Sequence, residues 1–180
     1  MLASFAPMTR RPPTSIGRTA RPSERRRAQA ISAIYGAVLA TAVIAALSED
    51  PGAGPLELVG ATVTTSLVFW LAHVFARFVG ERAGDWDPDE WHSVPQLLLQ
   101  ELPMVAAALL PAAVLGLAQL DLLSRDHAVT VALASGVLEL SVWGAIAGYH
   151  ERWGPGGVAL GSAVATALGL LMVFLKVLVH

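Results

Sequence analysis

One acidic residue, Glu139, lies inside a long apolar stretch of the sequence, between Leu138 and Leu140. An ionisable group at bilayer depth costs on the order of 3 kcal/mol on insertion scales, so it is a functional hypothesis by default. On a helix, Ser135 and Trp143 lie four residues to either side and share its face. A carboxyl group there is expected to be neutral unless it is paired, as a proton-coupled site requires. The alternative is a protonated glutamate that hydrogen-bonds to a neighbouring helix and only stabilises packing.

His73 is the natural partner for this carboxyl group. It lies in a second apolar stretch, on a helical stripe with Ser66, Trp70 and Arg77. A neutral imidazole is a good ligand for a divalent metal. His73 and Glu139 are offset by about 7 Å across the membrane at 1.5 Å per residue, which helix tilt and side-chain length can close. A packed histidine without a transport role is the alternative. Arg77, near the helix end, is expected to extend to the lipid headgroups.

Other site chemistry has little support in the sequence. The chain has no cysteine, which excludes a thiolate nucleophile, a disulfide framework and a cysteine metal site. It has no phosphate-binding glycine loop, HExxH or GxSxG motif, so the sequence predicts no enzyme and no cofactor. An acidic segment at residues 81–92 offers oxygen ligands for a hard cation. The alternative for this segment is a solvated loop that pairs with the basic N-terminal tail.

The elements that must position Glu139 and His73 are membrane-spanning helices. The 180 residues are 54% hydrophobic and 14% charged, whereas a soluble domain has about 25% charged residues. The apolar residues fall in five blocks, each about as long as a bilayer is thick. Backbone polar groups in hydrocarbon need internal partners, so all five blocks must be helices. We therefore predict an all-α polytopic membrane protein, a bundle of five transmembrane helices over residues 28–180. The predicted spans are 28–47, 56–79, 94–120, 127–149 and 157–179.

Residues 1–27 form an arginine-rich tail that is predicted to be disordered and cytoplasmic. This tail holds seven of the 12 basic residues and one acidic residue, Glu24. Placed directly before an apolar block, it is explained by the positive-inside rule, so no nucleic-acid partner is expected. The N-terminus is then cytoplasmic, and an odd number of spans places His180 outside. We expect the cytoplasmic membrane of a bacterium as the location.

The third predicted span contains prolines at regular spacing. Pro103 and Pro111 lie inside it and free the carbonyl groups of Leu99 and Ala107, one turn earlier. Free carbonyl groups within a membrane must be satisfied or line a cavity. This pattern is equally typical of a polar pathway and of plain membrane helices.

Small residues recur every four positions in the fifth span and, more briefly, in the fourth. Such a face lets two helix backbones approach closely, which is how membrane helices associate. The spacing does not distinguish contacts within one chain from contacts between two chains, and we expect a homodimer in the lipid bilayer. The residues of the two faces are Gly157, Gly161, Ala165 and Gly169 in the fifth span and Gly144 and Gly148 in the fourth.

Two resemblances to known proteins are present. The segments IYGAVLATAVIAALSEDP and LVFWLAHVFARFVGERAG resemble those of small, uncharacterised integral membrane proteins of actinobacteria. A weaker resemblance is to the vacuolar iron transporter family. It rests on five spans, an acidic segment between the second and third spans, the run AALLPAAVLGL and the closing pattern GAIAGYHERWGPGGVALGSAVATALGLLMVFL. This resemblance implies a related fold, but the first span has no acidic residue before Glu49, and His73 stands in the second where that family has a methionine. No functional residue of the family is carried over.

Two functions are therefore predicted. The first is a small ion or divalent-metal permease that moves protons or a divalent cation past Glu139 and His73, with Ser135, Trp143 and Trp70 beside them. The metal ligands are unknown. The alternative is a non-catalytic membrane scaffold or regulatory subunit, assembled through the small-residue helix faces. Permeation requires the two residues to face a water-accessible cavity, whereas a packing role requires them to be dry and hydrogen-bonded.

Overall fold

The computed structural model describes residues 22–80, 94–150 and 154–178, with side chains from residue 25 onward. This part of the chain folds into five helices, each long and apolar enough to cross a membrane. The predicted all-α, five-span bundle is therefore confirmed. The helices are α1 (Pro22–Leu47), α2 (Pro55–Gly80), α3 (Val94–Gln119), α4 (Arg125–His150) and α5 (Gly154–Leu178).

The helix boundaries follow the predicted spans closely except at the start of α1. Helices α2 to α5 begin within three residues of the predicted positions, but α1 begins at Pro22 rather than at residue 28. Proline suits the first position of a helix, and arginine is a good helix former. Arg25, Arg26 and Arg27 therefore lie on the first turns of α1, and all three side chains are exposed. The rest of the tail and the acidic segment, residues 1–21 and 81–93, lie outside the described residues.

Helices α1 and α3 form the centre of the bundle. Helix α1 packs mainly against α3 and α4, and α2 packs mainly against α3. Helix α5 packs almost entirely on α4 and is the least buried of the five. The α1–α3 pair consequently separates α2 on one side from α4 and α5 on the other. The interior of the bundle is filled by side chains from α1 to α4, including Ile44, Leu58, Leu115 and Leu140.

Glycines allow α4 and α5 to touch backbone to backbone. A Cβ atom on Gly144 would collide with the carbonyl group of Gly161, and one on Gly148 would collide with that of Gly157. The predicted small-residue faces of the fourth and fifth spans therefore pack against each other within one chain. Ala165 and Gly169 continue the same buried face of α5. The homodimer stays a prediction, and it needs a different surface.

Helix α1 approaches α3 just as closely. A Cβ atom on Gly36 would collide with the backbone of Met104. Helix α3 runs without a break from Val94 to Gln119 although Pro103 and Pro111 lie inside it. The close contact at Gly36 positions the first half of α3 against α1, next to the most deeply buried acidic residue described below.

The end of the bundle opposite the basic tail is held by two cationic side chains. Arg125, at the start of α4, donates to three backbone carbonyl oxygens of residues 48–53 at distances of 2.8–3.1 Å. Lys176, in the last turn of α5, lies 3.2 Å from a carboxylate oxygen of Glu49. Both residues are predicted to lie outside, against the positive-inside rule. Their contacts with the α1–α2 turn explain why Arg125 and Lys176 occur at this end of the bundle.

Candidate functional site

Glu101 on α3 is the acidic residue most deeply buried in the described part of the chain, at 1% exposure. It lies seven residues after the start of α3, or about 10 Å along the helix at 1.5 Å per residue. A buried carboxylate needs a partner, because loss of its hydration is costly. Arg77 on α2 provides one, since its Nη1 atom donates to Oε1 of Glu101. His73 is the second neighbour, with Nε2 3.5 Å from Oε2. That separation is an ion-pair distance, and Oε2 has no hydrogen-bond partner among the described residues.

The geometry of this cluster follows from the antiparallel packing of α2 and α3. His73 and Arg77 are four residues apart and therefore share one face of α2. Trp70, one turn earlier on that face, donates from Nε1 to the backbone oxygen of Leu98 at 3.2 Å. Trp70, His73 and Arg77 of the predicted stripe thus face α3 over about two helical turns. Ser66 is buried on α2, where its hydroxyl donates to a backbone oxygen of its own helix.

Helix α1 closes the other side of the cluster. The Ser32 hydroxyl donates to the backbone oxygen of Glu101 at 3.2 Å. The Tyr35 ring lies 6.0 Å from the His73 ring, centroid to centroid. His73 also lines an open groove of about 460 Å³, together with Tyr35 and Met104. The imidazole therefore stands between a buried carboxylate and a surface that is open to the membrane.

Glu139 lies near the middle of α4. It is less than two residues from the midpoint of the helix and is half-buried. Its Oε2 atom is buried and has no hydrogen-bond partner among residues that the structure describes. Ser135 donates to a backbone oxygen of its own helix, and Trp143 is half-buried on the same face. This oxygen does not make the hydrogen bond that a packing role requires. Glu139 also does not line the grooves of about 540, 470 and 460 Å³ between the described helices, so the water-accessible cavity that permeation requires is not shown there either.

The structure does not bring His73 and Glu139 together. They lie on α2 and α4, which are separated by the α1–α3 pair. The carboxylate beside His73 is Glu101 instead, because α3 is the main packing partner of α2. The membrane-depth offset was the only geometry available from the sequence, and it carries no information on which helices are neighbours. Whether either group lies on an ion pathway stays a prediction.

Glu101 lies near the polar start of α3, close to Gln96 and Gln100, and the sequence analysis did not single it out. The spacing of Glu101 from Leu97 and Met104 indicates that it is buried. Glu101 lies four residues after Leu97 and three before Met104, and both of these are buried on α3. A charged residue in register with the apolar face of a membrane helix points into the bundle. This register distinguishes Glu101 from the two glutamines, which are more exposed.

The described ranges contain no cluster of three or more histidine, aspartate or glutamate side chains that is arranged to hold a metal ion. In the Glu101 cluster, the guanidinium of Arg77 already occupies one carboxylate oxygen. A divalent cation at the remaining oxygen would lie close to a like charge. The arrangement suits proton exchange between a carboxylate and an imidazole better than metal binding.

Comparison of the chain with known protein families, with curated proteins and with solved structures finds no match. The chemistry of Glu101, His73 and Glu139 is therefore the basis on which a function can be argued.

Proposed function

We propose that this multi-pass membrane protein is a permease that moves protons through its helix bundle. Glu139 is the central carrier, and the Glu101–His73 pair receives or releases protons on the side of the membrane where α1 begins. The observation that carries the proposal is the carboxyl group of Glu139 near the middle of α4, whose Oε2 atom is buried without a hydrogen-bond partner in the described part of the chain.

Each group has a chemical role in this proposal. A protonated Glu139 is neutral, so it rests in the hydrocarbon region at a lower cost than its anion. His73 can accept a proton at one ring nitrogen and release one from the other, as an imidazole does. Arg77 holds Glu101 in the bundle through a charge-assisted hydrogen bond, which leaves Oε2 of Glu101 facing His73. Transfer between the two sites requires water to enter between α3 and α4 during transport.

Protons are favoured over a divalent metal for two reasons. No metal-binding cluster occurs in the residues that the structure describes, and Arg77 places a positive charge on the carboxylate nearest to His73. The divalent-metal permease therefore becomes an outcome of the experiment and not part of the proposal.

The test is proton flux into liposomes that contain the purified protein, followed with an internal pH-sensitive dye under an imposed membrane potential. We expect flux with the wild type and its loss in Glu139→Gln, since an amide does not exchange protons. Glu57→Gln is the matched control, because it makes the same chemical change at an exposed position in the first turn of α2. This control should retain wild-type flux.

Uptake of Fe²⁺ and Mn²⁺ is measured in the same liposomes. Uptake of either ion without proton flux would replace the proposal with a metal permease. The absence of all flux from folded wild-type protein, with Glu139→Gln merely less stable, would support the non-catalytic scaffold. Removal of residues 1–21 separates these cases further, because a permease keeps its flux and a scaffold that binds through the tail loses its partner.

A further inference from the structure

A groove open to the membrane lies between α1, α4 and α5, at the end of the bundle where α1 begins. Its volume is about 540 Å³, which is within the range of small-molecule binding sites. Its walls are apolar side chains and bare backbone, with Ile31 and Ile34 on α1, Gly148 on α4 and Val164 on α5. Among the described residues that line it, Arg27 alone is charged.

The groove exists because α5 packs mainly on α4 and makes a smaller contact with α1. Gly144 and Gly148 bring α5 close to α4 but contribute no side chain to fill the space beside α1. The lining residues of α5 extend from Leu160 to Leu168, or about 12 Å at 1.5 Å per residue. This length fits within one leaflet, since the hydrocarbon core of a bilayer is about 30 Å thick.

The charge at the open end of the groove selects its occupant. Arg27 lines the groove, and Arg25 and Arg26 lie exposed beside it on the first turns of α1. A guanidinium group binds a phosphate through two parallel hydrogen bonds. Basic residues at a membrane surface attract anionic lipids. The groove therefore combines an apolar channel of acyl-chain character with a phosphate-binding group at the headgroup level.

We propose that this groove binds one anionic phospholipid of the surrounding bilayer, with an acyl chain between α1 and α5 and its phosphate on Arg27. The site is separate from Glu139 and from the Glu101 cluster, and it does not depend on proton transport. The bound lipid fills the gap between α1 and α5 and links α5 to the rest of the bundle.

The test is native mass spectrometry of the full chain, titrated in detergent with dioleoylphosphatidylglycerol or with the zwitterionic dioleoylphosphatidylcholine. We expect one saturable adduct with phosphatidylglycerol at concentrations where phosphatidylcholine gives none. Arg27→Gln should weaken the phosphatidylglycerol adduct about fivefold, the factor for one basic residue at an anionic lipid surface. Arg26→Gln removes the same charge outside the groove lining and should have a smaller effect.

A second pair of variants tests the apolar channel. Val164→Trp places a large side chain in the groove, whereas Val142→Trp makes the same change at a similarly exposed position of α4 outside it. The first should abolish the saturable adduct and the second should keep it. Equal binding of both lipids, or full retention of the adduct in Val164→Trp, would overturn the proposal. A dimer of the wild type that becomes monomeric in Val164→Trp would also overturn it, since a second copy of the chain would then occupy the groove.

Discussion

At the scale of single residues, a charged side chain inside a membrane bundle needs a partner that offsets the cost of its burial. Glu101 is almost fully buried, and its partner is Arg77. Lys176 and Glu49 form a comparable pair at the opposite end, but the Glu49 side chain is 27% exposed and the Glu101 side chain is 2% exposed. Burial of the carboxylate decides how much each ion pair contributes to stability, because solvent screens and hydrates an exposed carboxylate.

This difference predicts unequal losses of stability. Arg77→Gln should lower the free energy of unfolding by about 3 kcal/mol, because Glu101 then stays buried without its cation. This is the low end of the usual cost, since the Arg77 side chain is itself 31% exposed. The double variant Arg77→Gln with Glu101→Gln should recover part of this loss, because a neutral amide is cheaper to bury. Lys176→Gln should cost about 1 kcal/mol or less. Unfolding in detergent with increasing dodecyl sulfate measures all three. Equal losses in the two single variants, or no recovery in the double variant, would contradict this account.

At the scale of helices, close approach between backbones packs α5 against α4. Gly148 packs directly against the backbone of Gly157, so position 148 has no room for a methyl group. The contact is with a carbonyl group of a neighbouring helix, which moves only if α5 moves. By contrast, a Cβ atom on Gly116 of α3 would have nothing within 4 Å. The same residue type therefore has a packing role in α4 and none in α3.

Gly148→Ala should consequently separate α4 from α5 and lower the free energy of unfolding by about 1–3 kcal/mol, the usual cost of overpacking. Gly116→Ala should be neutral or stabilise the protein by up to about 1 kcal/mol, because alanine is the better helix former. The dodecyl sulfate titration measures whether the free energy of unfolding falls in Gly148→Ala and stays equal or rises in Gly116→Ala. Similar behaviour of the two variants would mean that the α4–α5 contact does not limit stability.

At the scale of the whole molecule, the sequence predicts the elements well and their partners poorly. The spans follow from hydropathy and length, which are properties of each segment alone, so α2 to α5 begin within three residues of prediction. The pairing of His73 depends on which helix faces α2, and no local pattern encodes that. The early start of α1 has a similar cause, because Arg25, Arg26 and Arg27 continue the helix beyond the hydrocarbon region that defines a span.

The orientation of the bundle gives the last prediction. The basic residues Arg25, Arg26 and Arg27 lie at one end, whereas at the other end Arg125 and Lys176 are held by the α1–α2 turn. The contacts of Arg125 and Lys176 give these two cations a structural role at that end, and the positive-inside rule is therefore applied to the more numerous arginines before and at the start of α1. The positive-inside rule then predicts that the N-terminus is in the cytoplasm, and with five spans the C-terminus is expected on the opposite side.

The absence of native cysteine makes this orientation measurable with single cysteines. In intact cells, a membrane-impermeant maleimide should label Ser124→Cys, in the turn before α4, and should leave Ser15→Cys in the tail unlabelled until the cells are opened. The turn lies at the same end as Arg125, so its labelling tests the placement of the engaged cations outside. The reverse pattern would invert the bundle, and it would assign the Glu101–His73 pair and the proposed lipid groove to the outer leaflet. Labelling of both positions in intact cells would contradict the three membrane spans, α1 to α3, that separate them.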